Sequence, residues 1–273
     1  MSAASAPQIQ AFFDPATNSV SYLVSDSAGH AVVIDPVLDY DAVTEHVQTR
    51  SADAILEAAE NLGVAIAWIL ETHPHADHLS AADYLRRRTG AKVGVGAAMV
   101  EVQQRFGTSL SVDGILPHGA DFDRLFADGD AMNVGNLVID VLATPGHTPA
   151  CVTYCIGDAA FVGDTMFMPD FGTARTDFPG GDARQLYRSI QKILALPSAT
   201  RLFMCHDYKA PGRDRFAWET TVAEERERNV HIGGGVGEDD YVAMREARDA
   251  TLCAPKLLEP ALRANIRAGR IAV

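Results

Sequence analysis

The stretch Glu71–His78 reads ETHPHADH and places His73, His75, Asp77 and His78 within six positions. Imidazole nitrogens and carboxylate oxygens at that density are the donors a zinc or iron ion takes. The histidine spacing is not the i, i+4 spacing by which a helix presents two ligands on one face. In an extended loop, residues two apart point the same way, so His73 and His75 share a side. Asp77 and His78 sit where the chain turns into the next element and face a neighbouring position. Pro74 stiffens the loop and lowers the entropy lost when a site forms. The expected chemistry is metal binding, and the motif leaves open whether it holds one ion or two.

Three further segments end in ligand-type residues. Pro145-Gly146-His147 follows the apolar run Leu137–Ala143, Gly163-Asp164 follows Ala159–Val162, and Cys205-His206-Asp207-Tyr208 follows Arg201–Met204. Each alone fits a polar turn equally well. Together with the first cluster they describe an open site assembled from several strand ends.

The elements that must position these residues are legible in outline. Ser19–Val24 and His30–Ile34 read as strands joined by a turn through Ser25–Gly29, and Asp35-Pro36 stops the second. Ala52–Leu62 has helical periodicity and closes at Gly63, and Val64–Leu70 reads as a buried strand running straight into the histidine motif. Ala81–Arg88 reads as a helix ending at Gly90, followed by the strand Ala91–Val95. A meander of four strands is expected from Ala131 to Val162, then a helix over Ala183–Leu194 and a strand over Arg201–Met204. Beyond Pro211 the tail reads as mostly helical and charged. Gly94-Val95-Gly96 lacks the third glycine of a dinucleotide fingerprint, and Ile232–Gly237 lacks the Lys-Ser/Thr of a phosphate loop; both read as turns.

With 273 residues the chain can bury a substantial core, and 47% hydrophobic with 22% charged residues is ordinary for a soluble protein. A net charge of −13 argues against nucleic acid and against an anionic membrane surface as partners. No apolar run reaches the roughly 20 residues of a membrane span, and the first residues lack the basic start and apolar core of a leader. Cys151 and Cys155 lie in an alternating, strand-like stretch, too far apart for a disulfide. A reduced, cytoplasmic protein is expected.

The order T-H-x-H-x-D-H, then G-H, G-D and H-D-Y, is similar to the metallo-β-lactamase fold superfamily over roughly Gln8 to Arg213. That resemblance implies an α/β class, a four-layer αβ/βα sandwich with the metal site at one edge between the sheets. It divides the chain into a catalytic domain over 8–213 and a helical extension over 214–273 packed on the same domain. In the dinuclear hydrolases of the superfamily, His73, His75 and His147 would hold one metal and Asp77, His78 and His206 the other. Asp164 would bridge them, and a hydroxide between two zinc ions would be the nucleophile.

The flanking sequence points elsewhere. Arg175-Thr176-Asp177-Phe178, Leu186-Tyr187-Arg188-Ser189-Ile190 and His206-Asp207-Tyr208 resemble persulfide dioxygenases, in particular a bacterial branch of them. Glyoxalase II-type thioesterases show G-R-F-F-E after the aspartate and H-E-Y at the end. The resemblance implies one iron(II) per chain on His73, His147 and Asp164, a facial triad of two imidazoles and one carboxylate. It implies oxidation of glutathione persulfide by O2 to sulfite and glutathione. His75, Asp77, His78 and His206 would then orient ligands and water. Arg175 would take a glutathione carboxylate, and Tyr187 and Tyr208 would donate to substrate or oxygen. A homodimer is the assembly the resemblance suggests. The alternatives are a dinuclear zinc thioesterase of the glyoxalase II kind and, third, a metal-dependent sensor. Met168–Ala174 is longer than its counterpart in the mitochondrial-type pattern and is expected to shape the pocket.

Overall fold

The computed structural model describes residues 6–110 and 112–271; residues 1–5, where a leader would begin, lie outside them. The first half carries β1 (Gln8–Asp14), β2 (Ser19–Ser25), β3 (His30–Ile34), β4 (Val37–Asp41), β5 (His46–Gln48), α1 (Arg50–Leu62), β6 (Ala65–Leu70), β7 (Leu79–Ser80), α2 (Ala82–Thr89), β8 (Lys92–Gly96), α3 (Met99–Ser109) and β9 (Arg124–Phe126). The second half carries β10 (Ala131–Val134), β11 (Leu137–Ala143), β12 (Val152–Ile156), β13 (Ala159–Phe161), α4 (Ala183–Leu194), β14 (Arg201–Phe203), β15 (Glu219–Thr221), α5 (Val222–Arg228), α6 (Glu238–Asp249) and α7 (Leu258–Asn265). One sheet runs β1-β2-β3-β6-β8-β9, a second runs β10-β11-β12-β13-β14-β15, and β5-β4-β7 form a small third.

Side-chain alternation builds the layers. In β2, Val20, Tyr22 and Val24 enter the core between the large sheets, while Leu23 joins the cluster under α1, α2 and α7. Both faces of this strand are therefore covered, which is why SVSYLVS is buried throughout. Ile139, Val141, Tyr154 and Phe161 fill the same inner layer from the second sheet. On that sheet's outer side, Ala160 and Leu202 meet Leu186, Ile190 and Ile193 of α4. Those helix positions, spaced four and three apart, form one apolar face. Asp182 caps α4 by accepting a hydrogen bond from the Gln185 amide at 2.7 Å. Helices thus cover both outer faces of two packed sheets, the four-layer arrangement expected.

One expectation needs correction. Gly94 and Gly96 do not form a turn; they lie inside β8, parallel to β6 and β9. A Cβ on Gly94 would stand 2.5 Å from the Phe126 ring, and one on Gly96 would stand 2.3 Å from the Ala150 carbonyl oxygen. The glycines mark close packing, not chain reversal. The segment Met99–Ser109 forms α3, which apolar periodicity left unmarked. The second glycine stretch does turn, as a short 3-10 element at Gly233–Gly235. Among the described residues, no helix is long and apolar enough to cross a membrane.

Two backbone hydrogen bonds join the sheets at one edge. Val20 N donates to the Cys205 carbonyl at 2.7 Å, and Val152 N donates to the Thr72 carbonyl at 2.9 Å. The segments following β6, β11, β13 and β14 meet at this edge.

Candidate metal centre

His73 and His75 leave the end of β6 with ring centroids 4.0 Å apart, and His147, after β11, stands 5.2 Å from His73. Asp164, two residues beyond Val162, has a carboxylate oxygen 4.0 Å from His73 Nε2 and 3.8 Å from His147 Nε2. Ligand atoms of His73, His147 and Asp164 all lie within 4.8 Å of one another. His75, Asp77 and His78 make a separate group on the same criterion, and Asp164 also groups with Cys205 and His206. His206 Nε2 lies 3.2 Å from Asp77 and 3.4 Å from Asp164. All seven ligand-type residues expected from the sequence are thus brought together. His75 stands with Asp77 and His78 rather than in the group of His73 and His147.

The hydrogen-bond network assigns a tautomer to each imidazole. Thr72 has one hydroxyl proton, and it donates it to Asp35 Oδ2 at 2.7 Å. The contact of 3.0 Å between Thr72 Oγ1 and His73 Nδ1 must then be donated by the ring, leaving the lone pair on Nε2. His147 Nδ1 donates to the Arg175 carbonyl oxygen at 2.8 Å, again leaving Nε2. His75 donates through Nε2 to Asp35 Oδ1 at 3.0 Å and so keeps its lone pair on Nδ1. Ser19 Oγ lies 3.1 Å from His78 Nδ1 and 3.3 Å from His206 Nδ1. Thr17 Oγ1 lies 2.6 Å from Asp14 Oδ2 and 2.8 Å from Ser19 Oγ. With the Thr17 proton on the Asp14 carboxylate, Ser19 donates to Thr17 and accepts from both rings.

Besides His147 Nε2, the nitrogens left over are His73 Nε2, His75 Nδ1, His78 Nε2 and His206 Nε2. These, with Asp77 Oδ2 and Asp164 Oδ1, are buried polar atoms without a hydrogen-bond partner. Buried polar groups are nearly always paired, so this set fits a cation held by nitrogen and oxygen donors. The electrostatics differ from ring to ring; at His75 burial opposes the charged form, but Asp35 outweighs it and raises the pKa well above its ordinary value. Burial, then the neighbouring imidazoles of His75, His147, His206 and His78, hold the His73 pKa well below its ordinary value. His73 is therefore the neutral ring a metal requires. Burial also lowers His78. For His206 burial opposes the charged form, but Asp77 and Asp164 prevail and raise the pKa. A bound cation would take the place of that proton.

The three residues expected to meet substrate differ in placement. Tyr208 lies at the cluster, its ring stacked on His206 at 5.4 Å. Desolvation, then repulsion from Asp77 and Asp164, holds its phenol well above the usual pKa, so it stays a donor. The Arg175 guanidinium is held by both oxygens of Asp177 at 2.5 Å and donates to the Cys253 carbonyl at 2.8 Å. The Tyr187 hydroxyl is engaged elsewhere, donating to the Val236 carbonyl at 2.9 Å, and its ring packs on Tyr241 of α6.

Several supporting residues were not singled out from sequence. Asp35 adopts a left-handed backbone, φ 47°, and binds Thr72 and His75 together. Its only signal was the Asp-Pro step, read as a strand stop. Glu71, inside the quoted motif, reaches His75 Nε2 at 3.3 Å. Asp249 of α6 accepts from Thr176 N at 2.7 Å and from Thr176 Oγ1 at 2.9 Å, steadying the residue next to Arg175. The buried Arg245 pairs with Asp249 and donates to the Thr173 carbonyl.

Comparison with known proteins agrees with this geometry. The family model described as the metallo-beta-lactamase superfamily matches residues 14–206. A probable metallo-hydrolase of Burkholderia pseudomallei is 52% identical over 96% of this chain and 93% of its own length. A beta-lactamase hydrolase-like protein of Agrobacterium fabrum is 52% identical over 98% of this chain, which spans only 62% of that relative's length. The mitochondrial persulfide dioxygenase ETHE1 of Homo sapiens is 31% identical over 96% of this chain and 88% of its own. Among solved structures, ETHE1 from Myxococcus xanthus superposes with a TM-score of 0.77 at 32% identity, covering 96% of this chain and all of that one (100%). The ordered strand-end ligands, the two packed sheets and these likenesses have one conclusion: the chain belongs to the metallo-beta-lactamase superfamily.

Proposed function

We propose that the protein is a persulfide dioxygenase that uses one iron(II) per chain to oxidise glutathione persulfide with O2 to sulfite and glutathione. The observation that carries this reading is the grouping of His73, His147 and Asp164, whose ligand atoms lie within 4.8 Å of one another apart from the group of His75, Asp77 and His78. Two imidazoles and one carboxylate leave open positions on a non-haem iron. The persulfide dioxygenase named among its relatives supports the same reading.

Iron(II) held there would supply the redox chemistry and the open positions for thiolate and O2. The reaction balances as persulfide, O2 and water giving thiol, sulfite and two protons; the outer sulfur is oxidised and O2 is reduced. The chain's own groups position and enclose the reactants. Thr72 and the Arg175 carbonyl fix the rings of His73 and His147. Tyr208 offers a proton donor beside the cluster, and its ring packs against Phe167 and Phe171. A carboxylate of the glutathione moiety would compete with Asp177 for Arg175.

A dinuclear zinc thioesterase is the second reading. The group of His75, Asp77 and His78, with Asp164 reaching His206, favours it, as does the hydrolase name of a 52% identical relative. Persulfide-dependent O2 uptake, set against thiol release from lactoylglutathione, tests one reading against the other.

A further inference from the structure

The C-terminal helix does more than cover the outer face of the first sheet. Asn265, at the end of α7, donates from Nδ2 to the carbonyl oxygens of His75 and His78, both at 2.8 Å. Its Oδ1 accepts from Ser80 N at 2.8 Å. Both amide protons and the amide oxygen are therefore used, and all three bonds go to one loop. The partners lie 185 to 190 residues away in sequence. His75 and His78 are fully buried. Their carbonyls turn outward to Asn265, while His75 Nδ1 and His78 Nε2 are left without a hydrogen-bond partner.

We propose that Asn265 is a positioning residue of the metal centre, fixing the backbone of the histidine loop at the spacing its imidazoles need. The network continues beyond the amide. Ser80 Oγ donates to Glu71, and Glu71 reaches His75 Nε2. Both ends of the loop, Glu71 and Ser80, are thus tied through one chain of hydrogen bonds. The helix is in turn held in place by Ala261, Leu262, Ala264 and Ile266, which pack in the core with α1 and α2. Gln103 Nε2 also donates to the Ile266 carbonyl at 2.7 Å. Asparagine suits the position because aspartate would set a carboxylate against two carbonyl oxygens, and alanine would remove a donor from each of two buried carbonyls.

The role is tested on the metal-binding step itself. Asn265→Ala and the milder Asn265→Ser are compared with Leu262→Ala, which loosens the same helix and keeps the amide. Thermal midpoint, affinity for Co(II) by chelator competition, and the visible spectrum of bound Co(II) are measured on each full chain. Both Asn265 variants should bind Co(II) about 10- to 100-fold more weakly, with a shifted spectrum. Leu262→Ala should lower the midpoint while keeping wild-type affinity and spectrum. Should Asn265→Ala fail to fold, Asn265→Ser carries the comparison. Wild-type affinity and spectrum in the Asn265 variants would overturn the role, as would an equal loss in Leu262→Ala. The inference rests on the metal reading of the cluster and not on the dioxygenase reaction. A wild-type chain that binds no Co(II) would therefore sink that reading, whereas equal binding by all variants would sink only Asn265.

Discussion

His147 and Arg175 meet through the backbone: the imidazole Nδ1 lies 2.8 Å from the Arg175 carbonyl oxygen, while the guanidinium turns away to Asp177. The Arg175 carbonyl thus fixes a candidate ligand, while on the proposed reading its side chain would exchange Asp177 for an anionic group of the substrate.

Replacing the side chain alone should separate these roles. Arg175→Ala keeps the carbonyl, so metal per chain is expected to stay at the wild-type value. KM for glutathione persulfide should rise about tenfold, the loss of one charge-assisted contact, with kcat changed less. Metal analysis and steady-state kinetics on the same preparation check both parts.

Asp249 has the opposite profile. Asp249→Ala leaves Arg245, 1% exposed, without its partner, and frees Thr176 beside Arg175. A buried charge stripped of its pair costs about 3–5 kcal/mol. Urea denaturation should show that loss, and metal affinity should fall with it because the carbonyl that orients His147 is less firmly held.

Gly163 is expected to tolerate no side chain. Its φ is +53°, and a Cβ there would stand 2.5 Å from Thr72 Oγ1, the group that fixes His73. Gly163→Ala should cost about 1–3 kcal/mol by urea denaturation and weaken metal binding through His73.

Glu225 gives the stability a pH dependence. Burial pushes its carboxyl up to about 8. A raised folded-state pKa means its contribution is complete below the unfolded value near 4.5 and is lost as pH rises through about 8. Wild-type protein should therefore lose on the order of 2–3 kcal/mol between pH 6 and pH 9 from this group. Glu225→Gln should flatten that part of the profile; an unchanged slope in urea titrations at the two pH values would rule it out.

The candidate ligand residues could be grouped from the sequence because each follows directly on an apolar strand, and four strand ends in order suffice to name a shared edge. The residues that aim them were not. Asp35 is 40 residues from His75, Ser19 is 59 from His78, and Asn265 is 190 from His75. Such pairs depend on the packing of two sheets and a final helix, which local spacing does not encode. Gly94 and Gly96 show the same limit from the other side. Their close neighbours, Phe126 and Ala150, come from β9 and from the loop before β12, so a strand looked like a turn. Tyr187 carries the right chemistry for a donor, yet the segment leading into α6 places the Val236 carbonyl against it.

Dioxygen uptake by the anaerobically iron-loaded protein, supplied with glutathione persulfide, tests the proposed reaction most directly. The expected result is one O2 consumed and one sulfite formed per persulfide, with one iron bound per chain. Two zinc ions per chain, thiol release from lactoylglutathione and no O2 uptake would contradict it.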